Sequence, residues 1–180
     1  MDYYISSDIH LFHKNILKFY PKSRPFSSLN EMHERFIENW NNTITEDDVT
    51  YLLGDISFGK PDETVDILNK LNGKIRLVIG NHDSDRLLNC PNFCSRFEWI
   101  KMYNEERLFG KDVIMFHFPI LNWNRKYHQS IHLHGHTHST NPFPLTTLSY
   151  DVGIDASSNF TPNHLSTLLT YIQTNVLSNK

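Results

Sequence analysis

Apolar positions along this 180-residue chain recur in two ways, as short β-branched and aromatic runs and as longer stretches with helical spacing. Residues 3–6, 49–53, 75–79, 113–116 and 131–133 are of the first kind, and their length and composition predict buried strands. A further strand is predicted over 148–152. In 28–44, Leu29, Met32, Phe36, Ile37, Trp40 and Ile44 make one stripe. Ser28 with Glu31 three residues later is a capping-box signature, so a helix is expected there. Pro61 opens a second helix that carries Val65, Leu68 and Leu71 and is closed by Gly73. Thr161-Pro162 starts a third, whose Leu165, Leu168, Leu169, Ile172 and Val176 form a face expected to pack against a sheet.

Strands and helices alternate through the first half, whereas 97–152 reads as strands joined by tight turns. The mixture predicts an α/β chain built as a two-sheet β-sandwich flanked by helices, in one domain spanning 1–180. Asn141-Pro142-Phe143-Pro144 reads as a short loop before the strand at 148–152. No repeat or low-complexity tract interrupts this organisation.

Each of the first five strands runs into a residue able to bind a cation. Asp8 and His10 follow the first at i, i+2, which puts both on one face if the extended geometry continues. Asp55 follows Gly54, where glycine lets the chain turn sharply, and its two carboxylate oxygens can bridge two cations. In Gly80-Asn81-His82-Asp83, Asn81 offers a neutral, hard amide oxygen suited to Mn²⁺ or Fe²⁺; the same residue beside glycine also fits an ordinary left-handed turn. His117, taken singly, is the kind of histidine more often satisfied inside a core. Four imidazoles at alternating positions, His132, His134, His136 and His138, are hard to place in a core without a shared purpose. Gly135 breaks the strand between them, which assigns His136 and His138 to metal and leaves His132 and His134 to the strand or to support of the ligands.

The order Asp8-X-His10, Gly54-Asp55, Gly80-Asn81-His82-Asp83, His117, Gly135-His136-X-His138 resembles the calcineurin-like metallophosphoesterase family over essentially the whole chain. The wording around Ser7-Asp8-Ile9-His10 and His132 to His138 is similar to a compact branch found in bacteria and their phages. The resemblance implies two divalent metal ions, Mn or Fe, with Zn, Ni or Co as alternatives. One would be held by Asp8, His10 and His138, the other by Asn81, His117 and His136, with Asp55 between them. It also implies that His82 faces the substrate phosphate as general acid or transition-state stabiliser. Gly54-Asp55-Ile56-Ser57-Phe58 lacks the second aspartate of many protein phosphatases in the family, which argues against a protein-phosphatase reading. His13 and Asp83 are candidates for orienting ligands, and Arg24, Trp123 and Arg125 for meeting the substrate, arginine through phosphate and indole through a flat group.

The bulk charge balance says little about partners, and a local basic groove stays possible. Seventeen basic against twenty acidic residues give a net charge of −3, so no global field recruits nucleic acid or an anionic membrane. The chain opens without a secretory leader and holds no membrane-length apolar run, so the expected location is the cytoplasm. Cys90 and Cys94 read as two free thiols, and the pattern carries no signal for an oligomeric state. The expected activity is metal-dependent hydrolysis of a phosphodiester, or of a phosphomonoester, on a nucleotide or other small phosphate ester. The alternatives are a nuclease using the same centre, favoured only by the early cluster Lys14, Lys18, Lys22 and Arg24, and an inert scaffold of the same fold.

Overall fold

The computed structural model describes residues 1–138 and 147–178; the loop expected at 141–144 lies outside them. Four strands lie parallel, β1 (Tyr3–Ser6), β2 (Val49–Leu52), β3 (Lys74–Val78) and β4 (Phe97–Lys101); the first three fall on the apolar runs of the first half, and β4 is one that no individual run announced. Parallel neighbours need long crossovers, and helices supply them here. α1 (Ile16–Phe19) and α2 (Leu29–Thr43) link β1 to β2, α3 (Pro61–Leu68) links β2 to β3, and α4 (Asp85–Leu88) with α5 (Pro91–Cys94) links β3 to β4. At the start of α2 the Ser28 hydroxyl accepts the Glu31 N–H at 3.2 Å, as the capping signature requires. The returning Glu31 carboxylate takes the N–H of Ser27 rather than that of Ser28, so the box is closed one residue early.

The second sheet contains β5 (Tyr103–Leu108), β6 (Lys111–Phe116), β7 (Ile131–His134) and β8 (Ser149–Asp151), with β5 antiparallel to β6 and the other neighbours parallel. The two sheets are therefore mixed and flanked by helices, the sandwich that the strand and helix patterning predicts. Two apolar clusters hold the layers together. Tyr4, Leu52, Ile75 and Leu77 meet Ile16, Met32, Phe36, Trp40, Ile67 and Phe93 of the helices. From the opposite face, Ile5, Val49, Tyr51 and Val78 meet Val113, Met115, Ile131 and Leu133 of the second sheet. Period-two alternation in β1 and β2 thus divides neighbouring residues between the clusters.

The C-terminal helix differs from expectation at its start. Asn163–His164 form a short strand, β9, antiparallel to β1, and α6 begins only at Leu165 (Leu165–Ser178). The physical reason is the sheet edge: without β9, the outer side of β1 would leave its backbone groups unpaired. The apolar stripe falls as expected, with Leu165, Leu168, Leu169, Ile172 and Val176 buried in the inter-sheet cluster. Each such side chain contributes about 1.5–3 kcal/mol when fully buried. Among the described residues, no helix is long and apolar enough to cross a membrane.

Candidate metal centre

Parallel strands deliver their carboxyl ends to one place. β1, β2 and β3 end level, with Ser6 beside Leu52 and Leu52 beside Leu77, and β6 and β7 end together across the sandwich. The loops that follow are laced to one another: Asp8 N–H donates to Gly54 O at 3.0 Å, His10 N–H to Asp55 O at 3.0 Å, and Gly135 N–H to His117 O at 2.9 Å. Close approach is enforced by glycine. A Cβ on Gly54 would lie 2.3 Å from the backbone nitrogen of Gly80, and one on Gly135 would lie 2.0 Å from Ser7 Oγ and 2.3 Å from Asp8 Oδ2.

The extended geometry assumed for Asp8 and His10 does not continue past β1. Both adopt left-handed backbone, with φ of 58° and 55°, as do Asp55 (57°), His136 (70°) and His138 (48°). Conformations of this kind cost a non-glycine residue about 1–3 kcal/mol each, and they persist where the surrounding structure over-determines them, typically at functional sites. Here five of the seven expected ligands are turned toward one crevice in this way.

The side chains that meet there are electron-rich. His117 Nδ1 lies 2.7 Å from Leu53 O, which can only accept, so Nδ1 carries the proton and Nε2 carries a lone pair. That lone pair faces Asn81 Oδ1 at 2.8 Å and Asp55 Oδ2 at 3.5 Å. His136 Nδ1 approaches the same Asn81 oxygen at 3.0 Å. On the other side, His10 Nε2 stands 3.6 Å from Asp55 Oδ2 and 3.7 Å from Asp8 Oδ1, and His138 Nε2 is 3.9 Å from Asp8 Oδ1. Asp8 Oδ1 and both His10 ring nitrogens are buried without a hydrogen-bond partner. A buried carboxylate oxygen and a buried imidazole with nothing to bind are costly, and lone pairs aimed at one another are repulsive. Divalent cations among them would remove both penalties, so the residues present fit metal.

Two groups of ligand atoms, Asp8 with His10 and His138, and Asp8 with Asp55 and His117, lie within 4.8 Å of one another. Asp55 divides its carboxylate: Oδ1 accepts the His82 N–H at 2.8 Å, and Oδ2 lies between the His10 and His117 imidazoles. Burial opposes charge on Asp8, but the neighbouring imidazoles of His10, His117 and His138 outweigh it and hold the carboxyl below its ordinary value. Burial lowers His10 and His136, which favours the neutral imidazole that a metal needs.

A layer of supporting residues fixes these groups. Asp155, buried behind the centre, accepts His138 Nδ1–H at 2.8 Å and the Arg24 guanidinium at 2.9 and 2.8 Å. That leaves His138 Nε2 free to ligate, the carboxylate–histidine arrangement common behind metal ligands. Burial opposes ionisation of Asp155, yet hydrogen bonds from His138, Arg24 and Ser23 pull its carboxyl far below the ordinary range. Asp83 accepts three backbone N–H groups, from Asp55, Ile56 and Gly80, and so ties the two ligand loops together. Burial pushes its carboxyl up to about 6 against the pull of those donors. His33, pushed down to about 4 by burial, stays neutral and accepts Phe12 N–H at 3.1 Å, where φ is again left-handed at 60°.

The structure brings Asp8, His10, Asp55, Asn81, His117, His136 and His138 together. His82 sits exposed at the mouth, its ring 5.6 Å from that of His10. His13 stands beside His10 with ring centroids 5.7 Å apart and packs edge-on against Phe58, so it shapes the wall rather than hydrogen-bonding a ligand. Three residues expected to meet the substrate are placed elsewhere. Arg24 is fully buried beneath the ligands, donating to Asp8 O, Ile9 O and Asp155, because a guanidinium drawn into the interior needs every donor satisfied. Trp123 packs against His132 and donates its indole N–H to Ser130. Arg125 pairs with Asp112 at 2.8 Å, five residues and roughly 16 Å of strand upstream of His117. His132 and His134 lie buried in β7. Asp155, which sequence reasoning missed, follows Val152-Gly153-Ile154 after β8, a strand, a glycine and then a carboxylate one residue later than in Gly54-Asp55. Tyr20, uninformative in the sequence, stacks on His138 at 4.3 Å.

Comparison with known proteins identifies the family. The family model "Calcineurin-like phosphoesterase" matches residues 1–152. The protein MJ1445 of Methanocaldococcus jannaschii is 35% identical over 138 residues, covering 76% of this chain and 69% of its own. The Gene 66 protein of Mycobacterium phage L5 is 28% identical over 184 residues, covering 85% and 86%. Among solved structures, the protein AQ665 of Aquifex aeolicus superposes with a TM-score of 0.74 at 21% identity over 94% of this chain and 98% of its own, a likeness of fold. On the strength of the family match and of the ligand loops it spans, the chain belongs to the calcineurin-like phosphoesterase family.

Proposed function

We propose that the protein is a dinuclear metal-dependent hydrolase of phosphodiester bonds acting on a nucleotide or another small phosphate ester. The observation that carries this reading is the position of Asp55 Oδ2, 3.6 Å from His10 Nε2 and 3.5 Å from His117 Nε2. One carboxylate oxygen faces an imidazole from each half of the donor set, the arrangement expected of a bridge between two cations. In this assignment Asp8, His10 and His138 would hold one ion, and Asn81, His117 and His136 would hold the other. The mixed oxygen and imidazole donors suit Mn or Fe, with Zn, Ni or Co also compatible.

When bound, such a pair lowers the pKa of water toward neutrality and offsets charge on a phosphoryl group. The chain's own residues do the rest. Asp55 would set the spacing of the two ions from its place between the donor sets, and the Asp155–His138 and Leu53–His117 hydrogen bonds hold two imidazoles in their ligating tautomer. His82 presents its ring to a substrate phosphate while its backbone N–H is held by Asp55 Oδ1. From there it donates a proton to the departing oxygen or stabilises charge on the phosphoryl oxygens.

The test is hydrolysis of bis(p-nitrophenyl) phosphate and p-nitrophenyl phosphate by metal-free protein and after addition of Mn²⁺. Mn²⁺-dependent preference for the diester is expected. A strong preference for the monoester would replace the reading with a phosphatase, and no metal-dependent turnover of either would remove it.

A further inference from the structure

Three aromatic side chains lead away from the centre and belong to neither apolar core. Phe118 lies with its ring 4.7 Å from His136 and 4.9 Å, edge-on, from His117. Phe116 follows at 5.7 Å from Phe118, and Tyr103, directly opposite Phe116 in the β5–β6 pair, at 6.2 Å from Phe116. Phe116 and Phe118 are half-buried and Tyr103 is 38% exposed, yet none of the three joins the cluster between the sheets or the cluster beneath the helices. The aromatic on the opposite side of the mouth is differently employed, since Phe58 packs against His10, His13 and His82 together. The Phe118–Phe116–Tyr103 strip therefore presents open ring surface that starts at a metal ligand and points away from it.

We propose that this strip is the subsite for the base of a nucleoside phosphodiester, which packs against Phe116 and Tyr103, rings inclined at 61° to each other so that the base lies flat on one and meets the edge of the other, while its phosphate lies at the metal centre. The inference rests on the phosphodiesterase reading and names its substrate class. Stacking on aromatic rings is how proteins hold nucleobases without reading their sequence, because every base has a π face. The far end of the strip adds an edge. The Tyr103 hydroxyl donates to the Glu105 carboxylate, whose other oxygen accepts Asn124 Nδ2–H at 2.7 Å. A fixed carboxylate there accepts from exocyclic amino groups of bases. The same negative charge opposes a polyanionic strand that continues past Tyr103, so the strip fits one nucleoside arm and not a long nucleic acid.

The experiment compares kcat/KM for thymidine 5′-(p-nitrophenyl) phosphate and for methyl p-nitrophenyl phosphate in the Mn²⁺ protein. It is repeated in Tyr103→Ala and Phe116→Ala, with calorimetric dissociation constants for AMP and inorganic phosphate as a readout independent of turnover. The parent is expected to favour the thymidine ester and AMP. Each substitution is expected to shrink those ratios by about 5- to 150-fold, the change that loss of one base–aromatic stack produces. Tyr103, exposed on an edge strand, keeps the test open if Phe116→Ala does not fold. Equal kcat/KM for the two esters in the parent, or ratios untouched in the Tyr103 variant, would overturn the strip while leaving the phosphodiesterase reading in place. Hydrolysis of neither ester would instead remove the phosphodiesterase reading. A parent that cleaves a single-stranded oligonucleotide better than the thymidine ester would overturn the limit set by Glu105.

Discussion

Asp155→Ala removes the one carboxylate that faces both Arg24 and His138. Its oxygens accept from Ser23 Oγ at 2.6 Å, from Arg24 Nε and Nη2 at 2.9 and 2.8 Å, and from His138 Nδ1 at 2.8 Å, and the Arg24–Asp155 pair is essentially solvent-free. Breaking a buried pair by deleting one partner costs about 3–5 kcal/mol, because the remaining charge stays buried without compensation. The two carbonyls that still accept from Arg24 place the expectation at the lower end, about 3 kcal/mol. For a chain of this length each kcal/mol lowers Tm by about 2–4 °C, so a fall of roughly 6–12 °C is expected. The measurement is thermal unfolding at pH 7 in chelator, which separates this effect from metal binding. In a second step, Mn²⁺ titration by calorimetry should show affinity weakened about 10- to 100-fold, since His138 loses the acceptor that fixes its tautomer. The parent carries the same signature in its acid response. Asp155 is depressed below its ordinary 3.8, so its contribution is complete above that pH and disappears as the pH falls through the folded-state value. A variant whose Tm stays within 2 °C of the parent, or whose Mn²⁺ affinity is unchanged, would refute the support assigned to Asp155.

His82→Ala should keep both metals while losing about 100- to 10,000-fold in turnover, read from metal analysis and diester kinetics; wild-type rate in that variant would leave the residue without a chemical role. Gly135→Ala should lower stability by about 1–3 kcal/mol and weaken Mn²⁺ binding, because its Cβ would land 2.0 Å from Ser7 Oγ and 2.3 Å from Asp8 Oδ2. Unchanged unfolding and metal affinity would contradict the tight contact between those loops. Burial pushes His132 from 6.5 down to about 3, so the unfolded chain takes up the proton first and stability falls as pH drops below 6.5. At pH 5 that amounts to about 2 kcal/mol, and urea unfolding at pH 7 and pH 5 should show His132→Gln losing less stability than the parent by about this amount.

Much of the scaffold was legible because its strands are short, apolar and followed by polar punctuation. β1 has the expected limits, β2, β3, β7 and β8 differ from expectation by one residue at one or both ends, and Ser28 caps α2 as its hydroxyl and spacing require. The short helices α1, α4 and α5 have four residues each, too few for a 3.6-residue period to register. β9 could not be read locally, since Asn163 and His164 are strand only because Tyr4 and Ile5 need a partner. Asp8, His10, Asp55, Asn81, His136 and His138 stood out because donors recur after successive strands, whereas His117 and the division of ligands between two ions rested on the family resemblance, and Arg24, Trp123 and Arg125 were placed by residue type alone. Type does not say which side of a side chain is already occupied: Arg24 is held by Asp155 and two carbonyls, and Arg125 by Asp112. The left-handed turns at Asp8 and His10 were invisible for a related reason, because laced loops from β2 and β7 impose them.

The central claim is a pair of cations joined by Asp55, and anomalous scattering from crystals grown with Mn²⁺ tests it most directly. Two peaks about 3.5–4 Å apart are expected, with the Asp55 carboxylate between them, Asp8, His10 and His138 at one and Asn81, His117 and His136 at the other. A single peak, or two peaks that leave Asp55 uncoordinated, would contradict it.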